Sequence, residues 1–143
     1  MAYCEEADIQ KQLDPVTLVQ LTDDDADGSS DEGVIAAAIA EADATIDAML
    51  SGQYVTPFTT PPELVKRLSV TLSVGNLYAR RPHTDAGVWG DRVSRAERLL
   101  EKIATGKLSL GDAASGDENQ DDVETNKTTE DLIFSGENTD FDY

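Results

Sequence analysis

An all-α fold is predicted for this chain, a small bundle of about four to five helices followed by a long extended acidic C-terminal tail. Three observations predict it. Apolar residues recur at helical spacing over three long stretches, capping-box phrases open two of them, and glycine or proline closes all three. Residues 1–110 are expected to form the helical domain and residues 111–143 the tail.

Taken in order, residues 5–13 and 15–21 read as two short helices separated at Asp14-Pro15, where a proline suits the first helical turn. The acidic loop DDDADGSS follows, and Ser29-Ser30-Asp31-Glu32 has the S-x-x-E form of a capping box. The helix it opens should span 31–51, with Val34, Ile35, Ala38, Ile39, Ala42, Ile46, Met49 and Leu50 on one stripe. Alanines on the flanks, among them Ala36, Ala40 and Ala44, keep this helix thin enough for close packing within or between subunits. QYVTPFTTPP reads as extended loop, because a residue before proline is pushed out of the helical region. Thr60-Pro61-Pro62-Glu63 then predicts a helix over 61–81, capped by Thr60 and apolar around much of its circumference, hence central. The last helix is expected over 85–104, with Val88, Trp89, Val93, Ala96, Leu99, Leu100 and Ile103 inward and Thr105-Gly106 as its end.

The length of 143 residues suits one domain. The net charge of −18 is unevenly placed. Residues 1–65 sum to −13 with Lys11 their one basic residue, residues 66–107 sum to +5, and residues 108–143 sum to −10. Such segregation points to an interaction surface or tail more than to a fold. No apolar run approaches the roughly twenty residues of a membrane span, and MAYCEEADIQ lacks the regions of a signal peptide, so assembly in a cytosol without a membrane partner is expected.

Few residues invite chemistry. Cys4 is the single cysteine and His83 the single histidine, which leaves no pair for a disulfide and no set for a Cys/His metal cluster. His83 has no serine or cysteine arranged beside it as a nucleophile, so no enzyme, cofactor or catalytic residue is expected. Asp23, Asp25, Asp27 and Gly28 match the first half of an EF-hand loop, yet Val34 stands where the bidentate glutamate belongs. The segment reads mainly as an acidic inter-helix loop, with no metal site assigned. Arg80 and Arg81 read as helix-ending cations before phosphate ligands, and Trp89 as a core or interface anchor before a base-stacking platform.

MAYCEEADIQKQL, LVQLTDDD, DEGVIAAAIAEADATIDAMLSGQY, the PP pair before a helix ending LYARRP, and RAERLLEKIATGKLSLG occur in the order that resembles the Mu-like phage head-tail adaptor family. The resemblance covers residues 1–111, and Phe134-Ser135-Gly136 fits a tail phrase of that family, while Asn138-Thr139-Asp140-Phe141 is acidic where the family is basic. It implies a structural virion protein at the neck, assembled in the bacterial host cytoplasm. It also implies a closed ring of about a dozen copies between the portal protein and a stopper or tail-terminator protein. DNA would pass through the lumen without specific binding, since a wall of acids repels phosphate. The alternative from another class is a small acidic DNA-mimic inhibitor of a host nucleic-acid-binding protein, and a third is a calcium-modulated module resting on the incomplete loop.

In the tail, Gly111–Asp131 has a composition that cannot bury enough to fold alone. Leu132, Ile133 and Phe134 are expected to pair as a short strand on a partner's sheet edge, with the portal the first candidate and an adjacent subunit the second. Phe141 and Tyr143 are the expected aromatic anchors.

Overall fold

The computed structural model describes residues 2–111, and the description that follows is confined to them. Five helices occur, α1 (Glu6–Gln10), α2 (Pro15–Thr22), α3 (Glu32–Leu50), α4 (Glu63–Ala79) and α5 (Val88–Ala104), with no strand among the described residues. The all-α expectation is met. The three long helices form the body of the bundle, and α1 and α2 pack against both α3 and α4. Helix α4 touches all four others, as its nearly all-round apolar pattern predicts.

The helix starts differ from the capping boxes read in the sequence. Asp31, not Ser29, is the N-cap of α3, because the Ser29 hydroxyl donates to Asp27 Oδ1 at 2.6 Å within the preceding loop. Helix α4 begins after Pro62 in place of Thr60: Pro62 is extended (ψ 151°), so its ring closes the loop and its carbonyl accepts the first helical bond from Lys66 N. Helix α5 begins at Val88, three residues later than expected. Asp85 Oδ1 accepts from Gly87 N in a local turn, and Gly87 stands at φ 52°, where a side chain would be strained. Val88, expected inward, is therefore off the packed face and 64% exposed.

The expected starts hold elsewhere. Pro15 opens α2, and Asp14 caps it by accepting from Thr17 N at 3.1 Å and Thr17 Oγ1 at 2.6 Å, which also lowers the Asp14 pKa. Gly106 (φ 76°) ends α5 with Lys107 N bonded to Lys102 O and Gly106 N to Ile103 O, the paired bonds of a Schellman end.

Two clusters share the core. One joins the carboxyl half of α3 to the start of α4 and the end of α5 through Ile46, Leu50, Val65, Leu68, Leu100 and Ile103, with Tyr3 and Phe58 over it. The other joins α1 and α2 to the amino half of α3 and the end of α4 through Ile9, Leu18, Leu21, Ile35, Val74 and Leu77, closed by Trp89. Gly75 lets α5 come close, since a Cβ there would lie 2.6 Å from Val93 Cγ2.

Candidate partner surfaces

The first residues are clasped into the bundle by a buried polar chain. Asp43, on the core side of α3 and only 7% exposed, accepts from Tyr3 N at 2.9 Å and from Ser69 Oγ of α4 at 2.5 Å. Ser69 Oγ also reaches Cys4 Sγ at 3.2 Å, and Ser73 Oγ donates to Ser69 O at 2.7 Å. Tyr3 Oη donates to Asp47 Oδ1 and accepts from Phe58 N at 2.9 Å, so one hydroxyl ties the N-terminus to α3 and to the proline-rich loop. Burial, then the Asp47 hydrogen bond, pushes the Tyr3 phenol up to about 12, and burial likewise raises the Cys4 thiol. A buried thiol held protonated is a poor nucleophile. This network escaped sequence reading because Asp43, Ser69 and Ser73 look like ordinary polar positions; the one signal was their helical spacing beside core residues.

The acidic loop folds on itself. Carboxylate oxygens of Asp23, Asp25 and Asp27 lie within 4.8 Å of one another. They serve the backbone: Asp23 accepts from Asp27 N and Gly28 N, and Asp27 from Ser29 N, with Ser29 the main cause of its lowered pKa. Val34, in the twelfth position, sits on α3. Arg80 and Arg81 do cap a helix, but it is α2 and not their own. Arg80 Nη1 donates to Leu21 O at 3.1 Å and Arg81 Nη2 to Asp23 O at 3.0 Å, while both guanidinium groups pair with Asp24 at 2.5 and 2.8 Å. His83 is exposed, with no nucleophile set against it among the described residues.

Two grooves of opposite charge flank α1. One, roughly 650 Å³, runs between the N-terminal residues and α3 past Glu5, Glu6, Glu32, Ala36, Ala40 and Asp47, and no lysine or arginine lines it. The other, roughly 710 Å³, lies over α4 between α1 and α5 and presents Lys11, Lys66, Arg67, Arg92 and Arg95 against Asp8 and Glu63. Lys11 pairs with Asp8 at 3.1 Å; the other four cations have no ion pair among the described residues. Trp89 is the core anchor expected, with the Arg92 guanidinium 4.6 Å from its ring centroid. The expected partner-binding residues Leu132, Ile133, Phe134, Phe141 and Tyr143 lie outside the described residues.

Fold and surfaces together define a small helical bundle with its charges sorted onto separate faces. The chain belongs to the family described as Bacteriophage Mu, Gp36, whose profile matches residues 3–128. It is also similar to the Mu-like prophage FluMu protein gp36 of Haemophilus influenzae, 34% identical over 84 residues. That match covers 58% of this chain and 57% of the relative, so the chain spans little more than half the length of the curated relative it matches. A Mu-like phage protein is thereby established. No described helix is long and apolar enough to cross a membrane.

Proposed function

We propose that this chain is a non-enzymatic head-tail adaptor of the virion neck, one subunit of a ring between portal and tail through which the genome passes. The observation that carries the reading is the α3 side of the molecule. Helix α3 carries accessible acids at Glu32, Glu41 and Asp47 and no basic residue, and the groove beside it is lined by Glu5, Glu6, Glu32 and Asp47 with no cation. A ring that turns this side inward presents the passing phosphate backbone with like charge, so DNA slides without being held. The basic groove lies on another face, over α4 and α5, where neighbouring protein can meet it. A head-to-tail ring requires two different surfaces on each subunit besides the face turned to the lumen, and the basic groove is the candidate for one of them.

The DNA-mimic alternative is less well supported, because a mimic needs acids spread over its binding surface and the exposed cations of α4 and α5 interrupt them. The test is mass spectrometry and a cryo-electron map of purified particles. The chain should be present at ring stoichiometry in the neck, with α3 toward the axis. Absence from particles would refute the adaptor reading, and a ring with α4 and α5 toward the axis would refute the orientation.

A further inference from the structure

We propose that the acidic segment 112–131 docks in the basic groove over α4 of its own chain, between α1 and α5. The inference concerns the isolated chain and stands apart from the neck assignment.

Charge is the first argument. The segment holds eight acids and Lys127, a net −7, whereas the groove sets five cations against two carboxylates. Lys66, Arg67, Arg92 and Arg95 lack a carboxylate partner among the described residues, although the chain as a whole is strongly acidic. Four such cations around one groove attract an anionic ligand. Leu64, Val70 and Leu99, all half-buried, give its floor apolar ground that an extended chain can cover.

Geometry is the second argument. Leu110 is fixed where the described chain ends, its N–H donating to Tyr54 Oη at 3.0 Å, so the segment leaves from a set point beyond the carboxyl end of α5. The groove lies back along α5, and the path from Ala104 to Arg92 is about 18 Å at the helical rise. Twenty residues in extended form reach on the order of 66 Å, so the segment can turn and follow the groove with slack. Tethering gives it an effective concentration in the millimolar range, which a separate acidic partner must exceed. Nucleic acid would have to approach a chain of net charge −18, which repels it.

The experiment is zero-length carbodiimide cross-linking of the full chain, read by mass spectrometry on a mixture of light and heavy isotope-labelled protein. Carboxylates of residues 117–124 should be joined to Lys66 and Lys11 within one chain. Those links should disappear in about 0.5 M salt, where the Debye length is only a few ångströms. Links from Glu124, the one carboxylate of that stretch left intact, should also disappear in the full-length variant D117N/E118Q/D121N/D122N, while links to Lys102 and Lys107, beside the tail's root, persist. Circular dichroism of that variant should match the parent, since none of the changed positions belongs to α1–α5. Links confined to Lys102 and Lys107, links indifferent to the neutralised segment, or links formed only between light and heavy chains would each overturn the proposal. So would tight binding of a labelled DNA duplex by the unaltered chain that is lost in R92E/R95E, because the groove would then be a nucleic-acid site.

Discussion

The two ends of the bundle are built differently. At one, three long helices meet through Ile46, Leu50, Val65, Leu68, Leu100 and Ile103, and packed side chains form the contact between them, with Tyr3 and Phe58 over it. At the other, α3 and α4 are joined by helices of five and eight residues, too short to be stable by themselves, and polar devices hold them. Asp14 caps α2, Arg80 and Arg81 take its last carbonyls, and the Tyr3–Asp43–Asp47 clasp anchors the strand of chain before α1. The difference teaches that length of helix and density of hydrogen-bonded clamps substitute for one another. It also places the more easily opened end beside the acidic loop and α1, the element that separates the two grooves.

The sharpest way to break the comparison is to remove equal apolar volume from each end. Leu100→Ala should lower global stability by about 2–5 kcal/mol, since the fully buried side chain leaves a cavity among three long helices. Ile9→Ala, equally buried, should show a smaller loss of global stability together with faster hydrogen exchange confined to α1 and α2. Equal losses with uniform exchange would mean that the two ends unfold as one unit.

The clasp comes next. Tyr3→Phe leaves Phe58 N–H and the Asp47 carboxylate without their partner and should cost about 1–3 kcal/mol in denaturant titration. The pH dependence has a definite sign. Burial raises the folded phenol from 10.0 to about 12, so its contribution is complete below the unfolded value and is lost as pH rises through about 12. The parent should therefore lose stability between these two values, and Tyr3→Phe should flatten that fall. Parallel curves for parent and variant would assign the alkaline loss to other groups.

A smaller effect is expected at the Arg clamp. Asp24→Asn removes both ion pairs, but the three side chains are each more than a third exposed, and solvent screening holds the loss below about 1 kcal/mol. The loss should shrink further in high salt, since the charges face water. A salt-independent loss of several times that size would show that the carbonyl-capping hydrogen bonds, and not the charges, fix α2.

Most of the fold was legible in the sequence because burial has a helical period. The stripes of α3 and α4, Pro15 as a helix opener and Gly106 as a terminator were all readable, and the marked resemblance to Mu-like phage proteins agrees with the family the chain belongs to. Helix starts were less legible, since a serine or threonine near a turn has several acceptors to choose from. Ser29 served Asp27, and two consecutive prolines delayed α4 past Thr60. Charge segregation foretold a basic middle, but only the fold shows that Lys11 joins Lys66, Arg67, Arg92 and Arg95 around one groove. The partners of Arg80 and Arg81 were hidden for the same reason: residues nearly sixty positions apart meet only after α2 has packed on α4.

The smallest effect should come from calcium. Asp23, Asp25 and Asp27 converge within 4.8 Å, as the first half of an EF-hand would require. Calcium takes about six to eight oxygens, including a bidentate glutamate in the twelfth position of such a loop, and Val34 offers none. The carboxylates are also engaged, Asp23 by two backbone N–H groups and Asp27 by the backbone and hydroxyl of Ser29. Asparagine keeps an acceptor oxygen at each position, so the triple change D23N/D25N/D27N can preserve the loop's turns while removing three negative charges. The melting temperature of the parent should be the same in calcium and in chelator, and the same should hold for the variant. A rise with calcium in the parent that vanishes in D23N/D25N/D27N would convert the loop into a cation site. It would also make the end held by polar clamps dependent on an ion, reversing the contrast with the end held by packing.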